Sequence, residues 1–595
     1  MKVFMHLSWF FKQEKLKYIG GLLVLLFIAL FQLIPPQIIG KTIDAIAADR
    51  LTGRQLFTYM MILAFAAVMI YILRYSWRVL IFGTSNKLGK ILRNRLYEKY
   101  TSMSPSFFQR RRTGDLMAHA TNDINAVQGA AGPGVLMIGD SLITGTSILI
   151  TMALTINWKL TLIIMLPLPI LVLLTSYYGR LMSKGFKKAQ AAFSRLNDKT
   201  QESIAGIKVT KTMGYEKSDQ KDFKAISDDV VRKNLKVAQI DALFSPTIML
   251  VIGTSYFLAL VFGTFMIFNH TITLGQLITA TTYLSMLVWP LLALGFFFNI
   301  IQRGHASYER ISGILDTENE IDLTYKVNGY PSGPITYQIK SFTFPGSEHP
   351  SLRDVHFTIE EGMTVGIVGR TSSGKSTLLR LLVREFDTQR PEDITYGGIP
   401  IRDYEIQHLR AMFGYVPQDN FLFSTTIREN IAFAAPNSTK QQIQQAAETS
   451  YVHHDILNFP QGYDTIVGER GVSLSGGQKQ RVSIARAVIS DPPVLMFDDS
   501  LSAVDADTEE HILNNMRDQR QGKTNIITAH RMSAVSHADL IIVMDEGTVA
   551  EQGTHEQLMR NQGWYAKTYQ SQQLRDQLTK KLDEAAHEEE GDYHG

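Results

Sequence analysis

The 595-residue chain contains no cysteine. Disulfides, thiolate-ligated zinc, iron–sulfur clusters and a thiol nucleophile are thereby excluded. It also lacks a strong charge of either sign. Its 59 Lys and Arg oppose 56 Asp and Glu for a net charge of +3, which gives no footing for nucleic-acid binding. With 45% hydrophobic and 19% charged residues and a mean hydropathy of −0.01, the averages match an ordinary soluble protein. The averages conceal a more telling absence. Residues 19–40, 55–73, 141–158, 160–179, 242–269 and 271–302 contain no Asp, Glu, Lys or Arg.

Each run is near or above the ~18–20 apolar residues that cross a hydrocarbon layer of about 30 Å. Lipid offers the backbone no hydrogen-bond partner, so such runs are expected to be helices. One run could be a buried soluble helix, but six within 302 residues point to a membrane bundle. Residues 83–133 and 180–243 carry eight and fourteen Lys and Arg. The connections on the other side carry only Arg50, Arg54 and Lys159. The positive-inside rule puts the basic connections and both termini in the cytoplasm. Residues 1–18, with Lys2, Lys12, Lys15 and Lys17 around Trp9, Phe10 and Phe11, read as a basic amphipathic helix on the inner leaflet. No small-residue cleavage site follows, so a removed signal peptide is not expected. Helical periodicity around residues 87–100 and 180–237 predicts that membrane helices continue into the cytoplasm.

The regime changes at a charged stretch, 303–322, and a Gly/Pro-rich segment, Asn328-Gly329-Tyr330-Pro331-Ser332-Gly333-Pro334. We expect a membrane domain over 1–318, a linker over 319–334, an α/β domain over 335–570 and an acidic tail over 571–595 with Glu588, Glu589 and Glu590. The tail reads as a fraying helix without assigned function. In the α/β part, a strand-like run at 363–368 leads into Gly369-Arg370-Thr371-Ser372-Ser373-Gly374-Lys375-Ser376, then a helix-like run from Thr377. A phosphate-binding loop requires this strand–loop–helix context. Backbone N–H groups and the helix N-terminus cradle phosphates, Lys375 reaches the β and γ oxygens, and Ser376 ligates Mg²⁺. The apolar run 494–497 ends in Asp498 and Asp499. The first suits Mg²⁺ and the second an attacking water. Leu474-Ser475-Gly476-Gly477-Gln478 opens a periodic helix, a second N-terminus suited to an anion.

The order phosphate loop, Gln418, Leu474–Gln478, Asp498, Ser502-Ala503-Val504-Asp505, His530 resembles an ABC transporter ATPase. Six spans placed before it resemble the exporter half-transporters, which implies a type I (type IV) exporter fold fused to a P-loop ABC ATPase domain. The resemblance implies that Phe344 stacks on adenine, that Gln418 reaches Mg²⁺ and faces the membrane domain, that Asp505 couples two sites, and that His530 contacts the γ-phosphate of ATP. It further implies that residues 104–115 and 202–207 form coupling tips.

Two positions depart from the family pattern. Ser372 stands where Gly is frequent, with mild strain expected if φ is positive. Asp499 stands where Glu usually serves as the base. Its carboxylate is drawn back by one methylene, and a displacement of about 1 Å can cost about 10²-fold in rate. A complete signature beside a weakened base resembles the BmrC/LmrC-type subunit of heterodimeric bacterial multidrug exporters. This implies a partner chain carrying the Glu, in the bacterial cell membrane. The expected activity is ATP-driven efflux of lipophilic or amphipathic compounds, with lipid or peptide export and a regulatory ATP-sensing role as alternatives. Cavity candidates are Gln32, Asp140, Thr144, Trp289, Phe296, Phe297, Phe298, Asn299 and Gln302, an aromatic set with one carboxylate that suits amphipathic cations.

Overall fold

A computed structural model describes residues 2–468, 474–575 and 577–578. The acidic run Glu588–Glu590 lies outside the described residues, as do Val472 and Ser473 before the signature. The chain forms two compact units, Met1–Thr101 with Arg112–Thr317, and Ser102–Arg111 with Glu318–Gly595.

The first unit is helical. Two short helices, Lys2–His6 and Ser8–Gln13, precede Lys15–Gln32 and Ile34–Ala47. Val3, Leu7 and Phe10 are fully buried, so this amphipathic start packs inward with its apolar face. All six charge-free runs lie in helix. Five belong to the helical stretches Lys15–Ala47, Gly53–Ser102, Thr113–Met165, Glu216–Phe268 and Leu274–Leu315, each long and apolar enough to cross a membrane. The run at 160–179 is divided between Trp158–Met165 and Leu168–Ala205, with the break at Leu166–Pro167, where a proline cannot continue the preceding turn.

Helix Leu274–Leu315 is the organising element. A capping box between Thr273 and Gln276 starts it, and its residues Leu277, Ala280, Tyr283, Leu284 and Leu287 are buried at helical spacing. Its first turn crosses Ile34–Ala47 at backbone contact. A Cβ on Gly40 would fall 2.6 Å from the Gly275 carbonyl oxygen. Lower down, buried Asp123 accepts from Ser307 Oγ at 2.8 Å and pairs with Arg310, tying Thr113–Met165 to the same helix.

The expected coupling tips correspond to short helices, with one shift in position. Pro105–Gln109 falls within residues 104–115, and Ser106 and Arg110 both engage Glu320. Residues 202–205 instead belong to the long helix Leu168–Ala205. The separate helix begins past the break at Gly206, as Ile207–Thr212.

The second unit carries two sheets. An antiparallel sheet, in the order β2-β1-β4-β5, uses β1 (Ile335–Phe342), β2 (Leu352–Ile359), β4 (Ile394–Tyr396) and β5 (Ile399–Pro400). The larger sheet has the order β10-β9-β3-β8-β7-β6. It comprises β3 (Thr364–Gly369), β6 (Phe413–Val416), β7 (Val494–Asp498), β8 (Thr524–Ala529), β9 (Leu540–Asp545) and β10 (Thr548–Gly553). All its pairings are parallel except β9 with β10. Parallel sheets are covered on both faces, which is why β7 and β8 are buried at every position.

The segment expected to be a linker is strapped to this unit. Arg384, 1% exposed, donates to the Asp322 carbonyl at 2.7 Å and to Asp387 at 2.9 Å. Lys326 and Val327 both donate their N–H groups to the Asp403 carbonyl. A glycine- and proline-rich sequence signals turns, and these turns are held by partners far along the chain.

Candidate functional site

The edge of β3 delivers the chain into the phosphate loop at Gly369, where φ is 149° and a Cβ would lie 2.1 Å from the Met544 carbonyl oxygen. Ser372 takes φ 66°, the left-handed conformation that a glycine adopts more easily. Gly374, at φ 100°, opens helix Lys375–Leu382. Lys375 is buried, and its ammonium donates to the carbonyls of Gly369 at 3.0 Å and Arg370 at 2.9 Å. Burial pulls its pKa below the usual lysine value, against the opposing pull of Asp499 and Asp498. Among the described residues the buried Ser373 hydroxyl has no partner. The loop thus presents a desolvated cation, an unsatisfied hydroxyl and a helix N-terminus, a donor set fitted to polyphosphate. Arg370 and Thr371 are exposed on the loop, and Thr377 is buried in the first helical turn.

β7 ends with Asp498 beside this loop. Its Oδ1 accepts from Ser376 Oγ at 2.6 Å and from Thr528 Oγ1 at 3.2 Å, and its Oδ2 accepts from Tyr415 OH at 2.9 Å. Among the described residues no three His, Cys, Asp or Glu side chains cluster as a metal cage. One carboxylate with an adjacent hydroxyl is the sparse protein contribution that Mg²⁺ takes when nucleotide phosphates complete its shell.

Asp499 sits at φ 49°, and its N–H donates to Thr528 Oγ1 at 2.8 Å. Its carboxylate accepts from Gln418 Nε2 at 3.3 Å and lies 3.8 Å from His530 Nε2. Burial raises its pKa above the ordinary carboxylate value, opposed by His530 and Lys375. Gln418, Asp499 and His530, far apart in sequence, therefore share one cluster.

Ser475 caps helix Gly476–Val488, accepting from Gln478 N at 3.2 Å while Gln478 Oε1 accepts from Ser475 N. Leu474 is buried beneath it. Gln480 Oε1 accepts from Ala503 N at 3.2 Å, tying the signature helix to the segment that carries Asp505. Asp505 caps helix Ala506–Gln519 through Thr508 N at 2.9 Å, and that bond holds its pKa low. Phe344 is half-buried, edge-on to Phe386 and Phe342, with the Arg380 guanidinium 5.7 Å from its ring centre.

Tyr415 and Thr528 escaped sequence reasoning. Both are strand residues whose roles depend on parallel neighbours that a linear pattern does not reveal. Gln572 was also missed. It donates to the His530 carbonyl and accepts from Met532 N, each at 2.8 Å, so the chain beyond residue 570 supports the His530 loop.

In the helical unit, Gln32, Asp140, Thr144 and Trp289 line one cavity of about 700 Å³. Phe296, Phe297, Phe298, Asn299 and Gln302 are absent from its wall, which corrects their expected placement. Helix Leu274–Leu315 turns Thr282, Met286, Trp289 and Pro290 toward the cavity and passes it before residue 296. Phe297 instead stacks against Phe4 of the N-terminal helix, and Phe298 is 60% exposed. The wall also contains Arg74 and Arg78, which the expectation of a cationic ligand did not take into account.

Family models match the two halves in turn. "ABC transporter transmembrane region" covers residues 18–291 and "ABC transporter" covers 352–502. The chain is 44% identical over 574 residues to the multidrug resistance-like ATP-binding protein MdlA of Escherichia coli, covering 96% of this chain and 97% of that one. It is 42% identical over 569 residues to the probable multidrug resistance ABC transporter ATP-binding/permease protein YheI of Bacillus subtilis, covering 96% and 97%. A solved bacterial Atm1-family ABC exporter with ATP bound superposes with a TM-score of 0.77 at 26% identity, over 94% of this chain and 98% of that one. A helical half with six charge-free runs, a fused nucleotide cradle and end-to-end similarity to bacterial exporters place this chain in the ABC transporter family, as an ATP-driven membrane exporter with fused transmembrane and ATPase domains.

Proposed function

We propose that this chain is one half of an exporter of lipophilic or amphipathic compounds, paired with a second, different half-transporter. The observation that carries the pairing is Asp499. Its backbone is pinned to Thr528, so a main-chain shift cannot restore the reach that the shorter side chain lacks. Gln418 and His530 already flank its carboxylate. The signature cap at Ser475–Gln478 is complete by contrast.

On this reading the chain's own phosphate loop forms a slow site, and its signature completes a faster one whose Glu belongs to the partner. Ser376, Asp498 and Gln418 would hold Mg²⁺, which neutralises phosphate charge when bound. Phe344 offers an aromatic edge for adenine. The 22 basic residues of segments 83–133 and 180–243 support a multi-pass orientation in the bacterial membrane, with the ATPase domain and both termini cytoplasmic.

The test is ATP turnover by the chain purified alone and with whatever chain co-purifies from its native membrane. We expect slow turnover alone, rapid turnover with the partner, and a gain approaching about 10²-fold for Asp499→Glu alone. Rapid turnover by the unmodified chain as a homodimer would sink the proposal.

A further inference from the structure

The cavity in the helical unit has three charged side chains, Arg74, Arg78 and Asp140, in a wall that is otherwise mostly apolar. Arg74 and Arg78 follow the charge-free run 55–73 directly and stand one helical turn apart, so both guanidinium groups address the same face. Among the described residues neither reaches a carboxylate at ion-pair distance, but Arg74 attracts Asp140 through space and the Arg78 guanidinium stands 5.7 Å from the Trp77 ring centre. Asp140 is differently placed. It accepts from Thr144 Oγ1 at 3.0 Å, and the Trp289 indole bonds to the same carboxylate. The cavity wall thus holds two guanidinium groups against one carboxylate, which Thr144 and Arg74 already engage, leaving an excess of positive charge.

We infer that the cavity takes an amphipathic anion, a lipophilic body bearing a carboxylate, sulfonate or phosphate group, with Arg74 and Arg78 as the headgroup ligands. A guanidinium fork matches such oxyanions in bidentate geometry. A guanidinium in excess of the carboxylates beside an apolar layer is costly, and an anion relieves that cost. A volume of about 700 Å³ accommodates a drug-sized ligand, and Trp77 and Trp289 provide flat apolar surface for its body. This assignment names the substrate class of the proposed exporter and rests on that reading.

The test uses the full chain, with its co-purifying partner, in lipid nanodiscs without ATP. Tetraphenylborate and tetraphenylphosphonium have the same shape and opposite charge. Each is titrated against the unmodified protein and against R74Q/R78Q, and comparing proteins for one ion cancels its partition into lipid. The double variant should lose at least tenfold in borate affinity and leave phosphonium affinity unchanged or improved, while R74K/R78K keeps the borate preference. Equal weakening of both ions in R74Q/R78Q, or weakening of phosphonium alone, overturns the assignment. Asp140→Asn supplies a second check: borate should bind at least as tightly as before, and a loss of borate binding overturns the proposal.

Displacement of borate by dioleoyl phosphatidylglycerol added to the nanodisc marks a lipid source. Displacement only by anilinonaphthalene sulfonate marks a dissolved one, and displacement by neither counts against the site. Transport and ATPase stimulation by the same ions are measured separately. Arginine-dependent binding without either would remove the export reading and leave the binding site standing.

Discussion

The Gly275 N–H donates to the Asp44 carboxylate at 2.7 Å, joining residues 231 positions apart at the end of the bundle away from the basic connections. Thr273 Oγ1 donates to the other carboxylate oxygen at 2.6 Å, and the Gly40–Gly275 backbone contact lies beside it. Hydrogen bonds to a charged group contribute about 1.5–3 kcal/mol each. A transporter must open its bundle at either end in turn while the opposite end stays closed, and differential contacts of this kind set that equilibrium.

Asp44→Ala should therefore favour separation of this end. In a chain without cysteine, a single reporter such as Thr282→Cys on the cavity wall can be labelled without background. Labelling by a membrane-impermeant maleimide should rise several-fold in the Ala variant without ATP and by less in Asp44→Asn, which keeps one carbonyl acceptor. Unchanged labelling would mean that the glycine contact alone closes this end.

Tyr415 predicts a metal phenotype without touching nucleotide. Its half-buried phenol, with its pKa raised by desolvation and by Asp498, donates to the carboxylate that also faces Ser376. Tyr415→Phe should raise the Mg²⁺ concentration for half-maximal binding of a fluorescent ATP analogue several-fold, with metal-free binding little changed. If the Mg²⁺ titration is unmoved, Ser376 and Thr528 orient Asp498 unaided.

Gln572 should act on the His530 loop, and so on the γ-phosphate contact expected of His530, from outside the expected ATPase boundary. Gln572→Ala removes both bonds to the His530 loop. ATP turnover should fall several-fold while ATP affinity stays within twofold. A parallel loss of affinity and turnover would point to unfolding rather than a loosened switch.

His537 gives a stability signature in acid. Burial lowers its pKa, Arg517 pushes the same way, and Asp539 opposes them. The unfolded chain takes up a proton near the ordinary histidine value of about 6.5, the folded chain only at lower pH. This contribution is complete above that value and lost as pH falls through the lower folded one. Thermal midpoints of the full chain between pH 8 and 5.5 should therefore decline less in His537→Gln. Identical slopes would assign the acid sensitivity to other groups.

The contrast between what the sequence disclosed and what it withheld has a physical basis. Lipid imposes a length and a composition on any chain that crosses it, so the six spans stand out as missing charges. The phosphate loop is equally open to reading, because its glycines, Lys375 and Ser376 are neighbours along one turn; even the left-handed φ at Ser372 follows from the motif. Arg74 follows a charge-free run and Arg78 lies one turn beyond it, and nothing in that spacing marks either as facing a cavity. Only the folding of Asp140 and Trp289 against the same space makes them cavity walls. The Phe296–Phe298 cluster misled in the opposite direction. An aromatic run carries no information about which turn of its helix meets a cavity, and Phe297 found a partner in Phe4.

The strap over residues 319–334 alters where this molecule can be cut. A fragment beginning at Ile335 would retain Arg384 in its interior while losing the Asp322 carbonyl that receives it, and would bare the pocket filled by Ile321. Arg384 keeps Asp387, so losing this one acceptor costs about 1.5–3 kcal/mol, an appreciable share of a domain's net stability of about 5–15 kcal/mol. A fragment of this unit therefore has to begin no later than Ile321 to keep both contacts. Sequence that reads as packaging between two machines is built into the hull of one of them.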